Sequence, residues 1–164
     1  MTHIELLDRM KPFLTLPASL GSAGNEDANK ALVARMFLEI VNLKAYEVAD
    51  EIFAEDFHWP QFDLHGPEGA KAWARSFHAG WPDVQDRIEL QIAQGDWVVS
   101  LVSVYGTQVN PWAGLAASGR THAFQAIGFD RIRDGRIVER FALFDLAGVA
   151  QALGHDLVAQ PEKT

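Results

Sequence analysis

Three side chains in this sequence are best suited to moving a proton: His122, His58 and Asp145. A histidine titrates near neutral pH and can both take and return a proton. His122 ranks first because it stands two residues before Phe124 in an alternating segment, where it would enter an aromatic pocket. A solvated histidine just past the Gly119-Arg120 loop fits the same position. His58 ranks second, and a packed, hydrogen-bonded histidine at a strand edge fits it too. Asp145 ranks third; it is equally placed to cap the short helix that follows, a role aspartate fills well. Tyr105 could donate to an oxyanion, or be a core ring with its hydroxyl in water.

Other chemistries find less support. His58, Asp63 and His65 match no standard ligand spacing and fall in a loop-like segment, so no metal site is expected. Arg131, Arg133, Arg136 and Arg140 cluster around one hairpin, which on an acidic chain reads as a solvated face with ion pairs, with an anion site as the lesser alternative. No glycine-rich phosphate loop and no Ser-His-Asp order stands out. With no cysteine in the chain, disulfides, thiolate metal sites and a cysteine nucleophile are excluded.

The elements that must position these groups follow from pattern. The 164 residues are 48% hydrophobic and carry a formal charge of −8, which suits one folded domain and argues against a nucleic-acid partner. No apolar run approaches a membrane span and the start shows no signal core, so a cytoplasmic protein without a membrane partner is expected. Residues 1–25 break at Pro12, Pro17 and the Gly21–Asn25 stretch and read as an N-terminal extension. Residues 26–154 form the domain, and 155–164 a polar tail. Leu32, Met36 and Ile40 with Val33, Phe37 and Val41 mark a first helix. Val48, Ala49, Ile52 and Phe53 mark a second, and Gly66-Pro67 opens a third.

After Gly80-Trp81-Pro82 the period becomes two. Val84, Asp86, Ile88, Leu90 and Ile92 share one face of a half-exposed strand. Residues 97–109 are apolar on both faces and are expected to be covered on both. Residues 120–132 and 136–145 form a hairpin across Asp134-Gly135, whose register is open: a type I turn with a glycine bulge pairs even with even, a two-residue turn pairs even with odd. Three helices and then an antiparallel meander make an α+β fold, a curved sheet wrapped on helices into a cone. Ten Phe and five Trp are many for this length. Trp59, Trp112, Phe124 and Phe144 are expected to wall a cavity between sheet and helices.

Fragments along residues 28–154 resemble the SnoaL-like polyketide cyclases and ester cyclases, within the nuclear transport factor 2-like (ketosteroid isomerase-like, cystatin-like) folds. They include Ala54 to Pro60, Gly66 to Lys71, Trp81-Pro82-Asp83, Gly95 to Val98, Tyr105-Gly106-Thr107, Ser118-Gly119-Arg120, Ile132 to Glu139, and Leu153-Gly154. The resemblance implies ring closure of a polyketide-like carbonyl compound by acid/base chemistry with no cofactor, on the even face of the hairpin. It also places catalytic groups on the short strand bearing His58. Yet the positions matching the family's aspartate and histidine are Ala142 and Gly128, and a third polar position is Trp59. Two alternatives therefore stand beside an enzyme with relocated acid/base residues: a non-catalytic hydrophobic-ligand-binding domain, and an interaction domain. A homodimer and a hydrophobic small-molecule ligand are the expected partners.

Overall fold

A computed structural model describes residues 25–155. The extension expected at the N-terminus and nearly all of the polar tail lie outside the described residues. Helix α1, Glu26–Arg35, begins with Glu26 and Asp27 and ends with Arg35, charges that complement the helix dipole. It runs on as a π-helical turn, Met36–Val41, in which Asn42 N–H reaches the Phe37 carbonyl at 3.0 Å. The wider turn keeps Met36, Ile40 and Val41 in the core while Phe37 reaches the cavity described below.

A short helix α2, Val48–Ile52, leads into β1, Phe53–Trp59. A 3-10 turn, Pro60–Phe62, and the two-residue β2, Leu64–His65, precede α3, Gly66–Gly80. Proline in the first turn of α3 loses no hydrogen bond the helix would otherwise make. Four strands follow: β3, Gln85–Gln94; β4, Trp97–Thr107; β5, Thr121–Arg133; and β6, Arg136–Phe144. Helix α4, Leu146–Ala152, closes the domain. The six strands make one sheet in the order β2-β1-β6-β5-β4-β3. β1 lies parallel to β6, so the sheet is wider than the expected meander and is not wholly antiparallel.

Two bulges decide which residues face inward. In β3 the register shifts between Ile88 and Leu90, with Glu89 as the extra residue. Val84, Asp86 and Ile88 therefore face the core, but Leu90 and Ile92 do not join them as the alternation implied; they lie 52% and 59% exposed on the other face. At the hairpin tip Asp134 and Gly135 have φ of 51° and 71°, the two-residue turn that pairs Ile132 with Ile137. Val138 is then an extra residue, and beyond it Asp130 pairs with Arg140, Gly128 with Ala142 and Ala126 with Phe144. Both expected registers thus occur, one on each side of the bulge. Among the described residues the outer side of β4 is only partly covered: Val99, Leu101 and Ser103 are half-buried and Tyr105 is exposed.

Candidate active site

Between the inner face of β3–β6, α3 and the π-helical turn lies a cavity of about 390 Å³. One wall is a run of rings in mutual contact. Trp59 meets Trp73 at 5.2 Å between centroids, Trp73 meets Phe77 at 5.8 Å, and Phe77 meets Trp112 at 5.6 Å. Trp112 then meets Phe144 at 5.5 Å and Phe124 at 6.2 Å. Trp112 is carried by the loop after β4, whose Val109 and Asn110 N–H groups bond the Gly80 carbonyl at the end of α3. The expected wall residues Trp59, Trp112, Phe124 and Phe144 all line this space.

Against this apolar wall stand two charged side chains, Asp86 and Arg140. Asp86 is buried, and its Oδ1 has no hydrogen-bond partner. Its backbone is fixed by Asn42, whose Oδ1 accepts from Asp86 N at 2.6 Å and whose Nδ2 donates to Asp86 O at 2.8 Å. Burial pushes the carboxyl up to about 7, and the Arg140 charge offsets part of that rise. Arg140 is only 4% exposed. Its Nη1 donates to both oxygens of the fully buried Asp130, at 2.6 and 2.8 Å. Its guanidinium lies over the rings of Trp59 and Phe37, at 4.9 and 5.4 Å. Its Nε has no partner.

Gly128 makes room for this arrangement. A Cβ on Gly128 would come within 2.9 Å of Arg140 Nη2, so only a glycine lets the guanidinium lie undisturbed across β5. On the other edge of β6 the Ala142 backbone pairs with Gln61, whose amide donates to Ala142 O at 2.7 Å and accepts from Ala142 N at 2.6 Å. The same Gln61 oxygen accepts from Trp59 Nε1 at 3.0 Å and so holds the ring that Arg140 rests on.

The structure brings none of the three expected proton-transfer residues into the cavity. His122 is half-buried opposite Gly106 on β4 and is not part of the lining. His58 alternates with the buried Phe57 and Trp59 and so faces away, stacked on His65 at 4.5 Å with ring planes 11° apart. Asp145 caps α4, accepting from Gly148 N at 2.9 Å. Tyr105 is 54% exposed because its neighbour Val104 takes the inward phase. The arginines also divide. Arg131 pairs with Glu139, Arg133 pairs with Asp56 and Arg136 bonds the Asp50 carbonyl, whereas Arg140 is buried and not on a solvated face. The ligating atoms of His58, Asp63 and His65 lie within 4.8 Å of one another, outside the cavity.

Asp86 and the Asp130–Arg140 pair were missed, though a signal was present. Asp86 stands in phase with Val84 and Ile88, and a lone carboxylate on an apolar face is an exception that calls for a reason. Asp130 shares the even phase of β5 with Phe124 and Ala126.

Helices packed on one face of a curved six-stranded sheet, with an aromatic cavity between them, define the class of fold. Residues 31–153 match the family model of the SnoaL-like polyketide cyclases. The chain belongs to that family. Among solved structures, TsrD from Streptomyces laurentii is 26% identical, with a TM-score of 0.72 over 78% of this chain and 96% of that one. IdmH from Streptomyces antibioticus, assigned as a polyketide cyclase, is 26% identical with a TM-score of 0.65, covering 77% and 98%. A Jannaschia protein assigned to the SnoaL-like cyclases has 24% identity and a TM-score of 0.73, covering 82% and 97%, and supports the fold. No curated protein matches the sequence. Among the described residues no helix is long and apolar enough to cross a membrane.

Proposed function

We propose that the chain is a cyclase-type enzyme that performs acid/base chemistry on a hydrophobic carbonyl compound with its own side chains. The observation that supports this most is a buried carboxyl poised near neutral pH in an aromatic cavity that also holds a partly unpaired guanidinium. A general base works best with a pKa near the operating pH. In this reading the Asp86 carboxylate takes a proton from the carbon beside a carbonyl, and the electron pair moves to the oxygen. The positive charge of Arg140 in the same cavity stabilises that enolate electrostatically. The enolate carbon then attacks a second carbonyl of the same molecule, and Asp86 returns its proton to the new alkoxide.

The test is hydrogen–deuterium exchange at the methyl group of 2-acetylnaphthalene in D2O, followed by NMR. Catalysed exchange is expected, falling roughly 10²- to 10⁴-fold in Asp86→Asn. No exchange above buffer, or an unaffected variant, overturns the proposal. Ala142 and Gly128, where the resemblance implies an aspartate and a histidine, favour a binding-only role as the second reading. It expects the ketone to bind without exchange.

We infer further that a second copy of the chain covers the outer sheet face. Leu90, Ile92, Ile127 and Leu143 stand exposed there beside Leu101 and Phe129, an apolar surface of the kind a partner covers. Sedimentation should give a dimer that Leu143→Asp weakens.

A further inference from the structure

Arg140 uses its hydrogen-bonding capacity unevenly. A guanidinium has two edges able to grip a carboxylate: an end-on edge, and a side-on edge formed by Nε and Nη2. Asp130 takes Nη1 alone, with both of its oxygens. Nε is buried with no partner. An unsatisfied buried donor is costly, and this one belongs to a residue of the cavity lining. The plane of the group is held by the Trp59 and Phe37 rings. Gly128 gives the guanidinium its place on β5, since a Cβ there would stand 2.9 Å from Nη2 and 3.3 Å from Cζ and Nη1.

We propose that the cavity binds an aromatic or polycyclic carboxylate, its two oxygens on the Nε–Nη2 edge of Arg140 and its rings against the tryptophan wall. The inference rests on the reading of the cavity as a ligand site and narrows the substrate or product to an acid. Three features favour a carboxylate over other acceptors. A ketone or ester oxygen presents one acceptor atom where the fork offers two parallel donors. A phosphate would bring up to two charges to a lining whose one cation among the described residues is Arg140, already shared with Asp130. The rest of the lining is dominated by rings and aliphatic groups, which suits a flat apolar body. Asp86 then stands as a second carboxyl facing the same space, able when protonated to donate from its unpartnered oxygen.

The probes are 2-naphthoate and its neutral analogue 2-naphthamide, titrated into the full-length protein at pH 6 by calorimetry. Naphthoate is expected to bind about tenfold or more tightly than the amide, as charge-assisted bidentate bonds exceed neutral ones. Arg140→Lys keeps a cation for Asp130 but loses the fork. It should reduce the preference to about threefold or less. Gly128→Ala crowds Nη2 and should weaken naphthoate selectively; it serves as the test should the lysine variant not fold. Equal affinities in the unaltered protein, no binding of either probe, or a preference that survives both substitutions would overturn the proposal. Loss of exchange on 2-acetylnaphthalene with the naphthoate preference intact removes the enzymatic reading and leaves this one standing.

Discussion

Two regions of the molecule each gather three ionisable side chains, and they could hardly differ more in setting. On the inner sheet face Asp86, Asp130 and Arg140 are buried. At the end of β1 and the turn into β2, His58 is half-buried while Asp63 and His65 are exposed. By residue type the second group looks more chemical, with two histidines and a carboxylate. Yet burial, not type, gives a group an unusual proton affinity or leaves a donor without a partner. The inner group has both, and the outer group is a surface pair of stacked rings with a carboxylate beside it.

Breaking each group should separate them most clearly in stability. Arg140→Met leaves Asp130 as an uncompensated buried charge and should cost roughly 3–5 kcal/mol in urea unfolding. The double variant Arg140→Met, Asp130→Leu removes both charges and should regain most of that loss. A cost below about 1 kcal/mol for the single variant would show that Asp130 is solvated after all.

The second contrast is in pH. Asp86 has an ordinary carboxyl value of 3.8 in the unfolded chain and about 7 in the folded one. Between those values the folded state holds a proton that the unfolded state has lost. Stability from this group is therefore complete below about pH 4 and declines as pH rises to about 7. At about 1.4 kcal/mol per pKa unit the loss approaches roughly 4 kcal/mol. Asp86→Asn should remove that decline and melt higher than the unaltered protein at pH 8. A steeper fall in the variant would place the responsible group elsewhere.

A smaller effect tests the support beneath the inner group. Gln61→Ala frees the Ala142 backbone pair and the Trp59 indole N–H, and should cost about 1–3 kcal/mol. Because Trp59 underlies Arg140, naphthoate affinity should fall along with stability.

Much of the fold could be read from spacing: the three early helices, the proline that opens α3 and the Asp134-Gly135 turn all follow from local rules. The site was harder to read because the two bulges are invisible to a period-two count. Glu89 turns Leu90 and Ile92 outward, whereas a period-two count gives the strand that carries Asp86 one continuous apolar face. Val138 lets a two-residue turn coexist with even-to-even pairing, which sets Asp130 beside Arg140. The aromatic wall could be anticipated because rings at inward phases have few other places to go. The parallel β1–β6 pairing could not, since it joins segments some 80 residues apart with no local signal.

The smallest effect belongs to the outer group. His58 and His65 are cross-strand partners on β1 and β2, and such ring pairs contribute about 0.2–1 kcal/mol. His65→Ala should therefore change unfolding by that amount at most. It should leave naphthoate binding and ketone exchange unaltered, because the pair faces away from the cavity. Zinc is the sharper probe: three ligand atoms within 4.8 Å would raise the melting temperature on zinc addition if they formed a site. The expected result is no shift in either protein. A rise of several degrees that His65→Ala abolishes would instead make the exposed turn a metal site, and the contrast between the two regions would have to be redrawn.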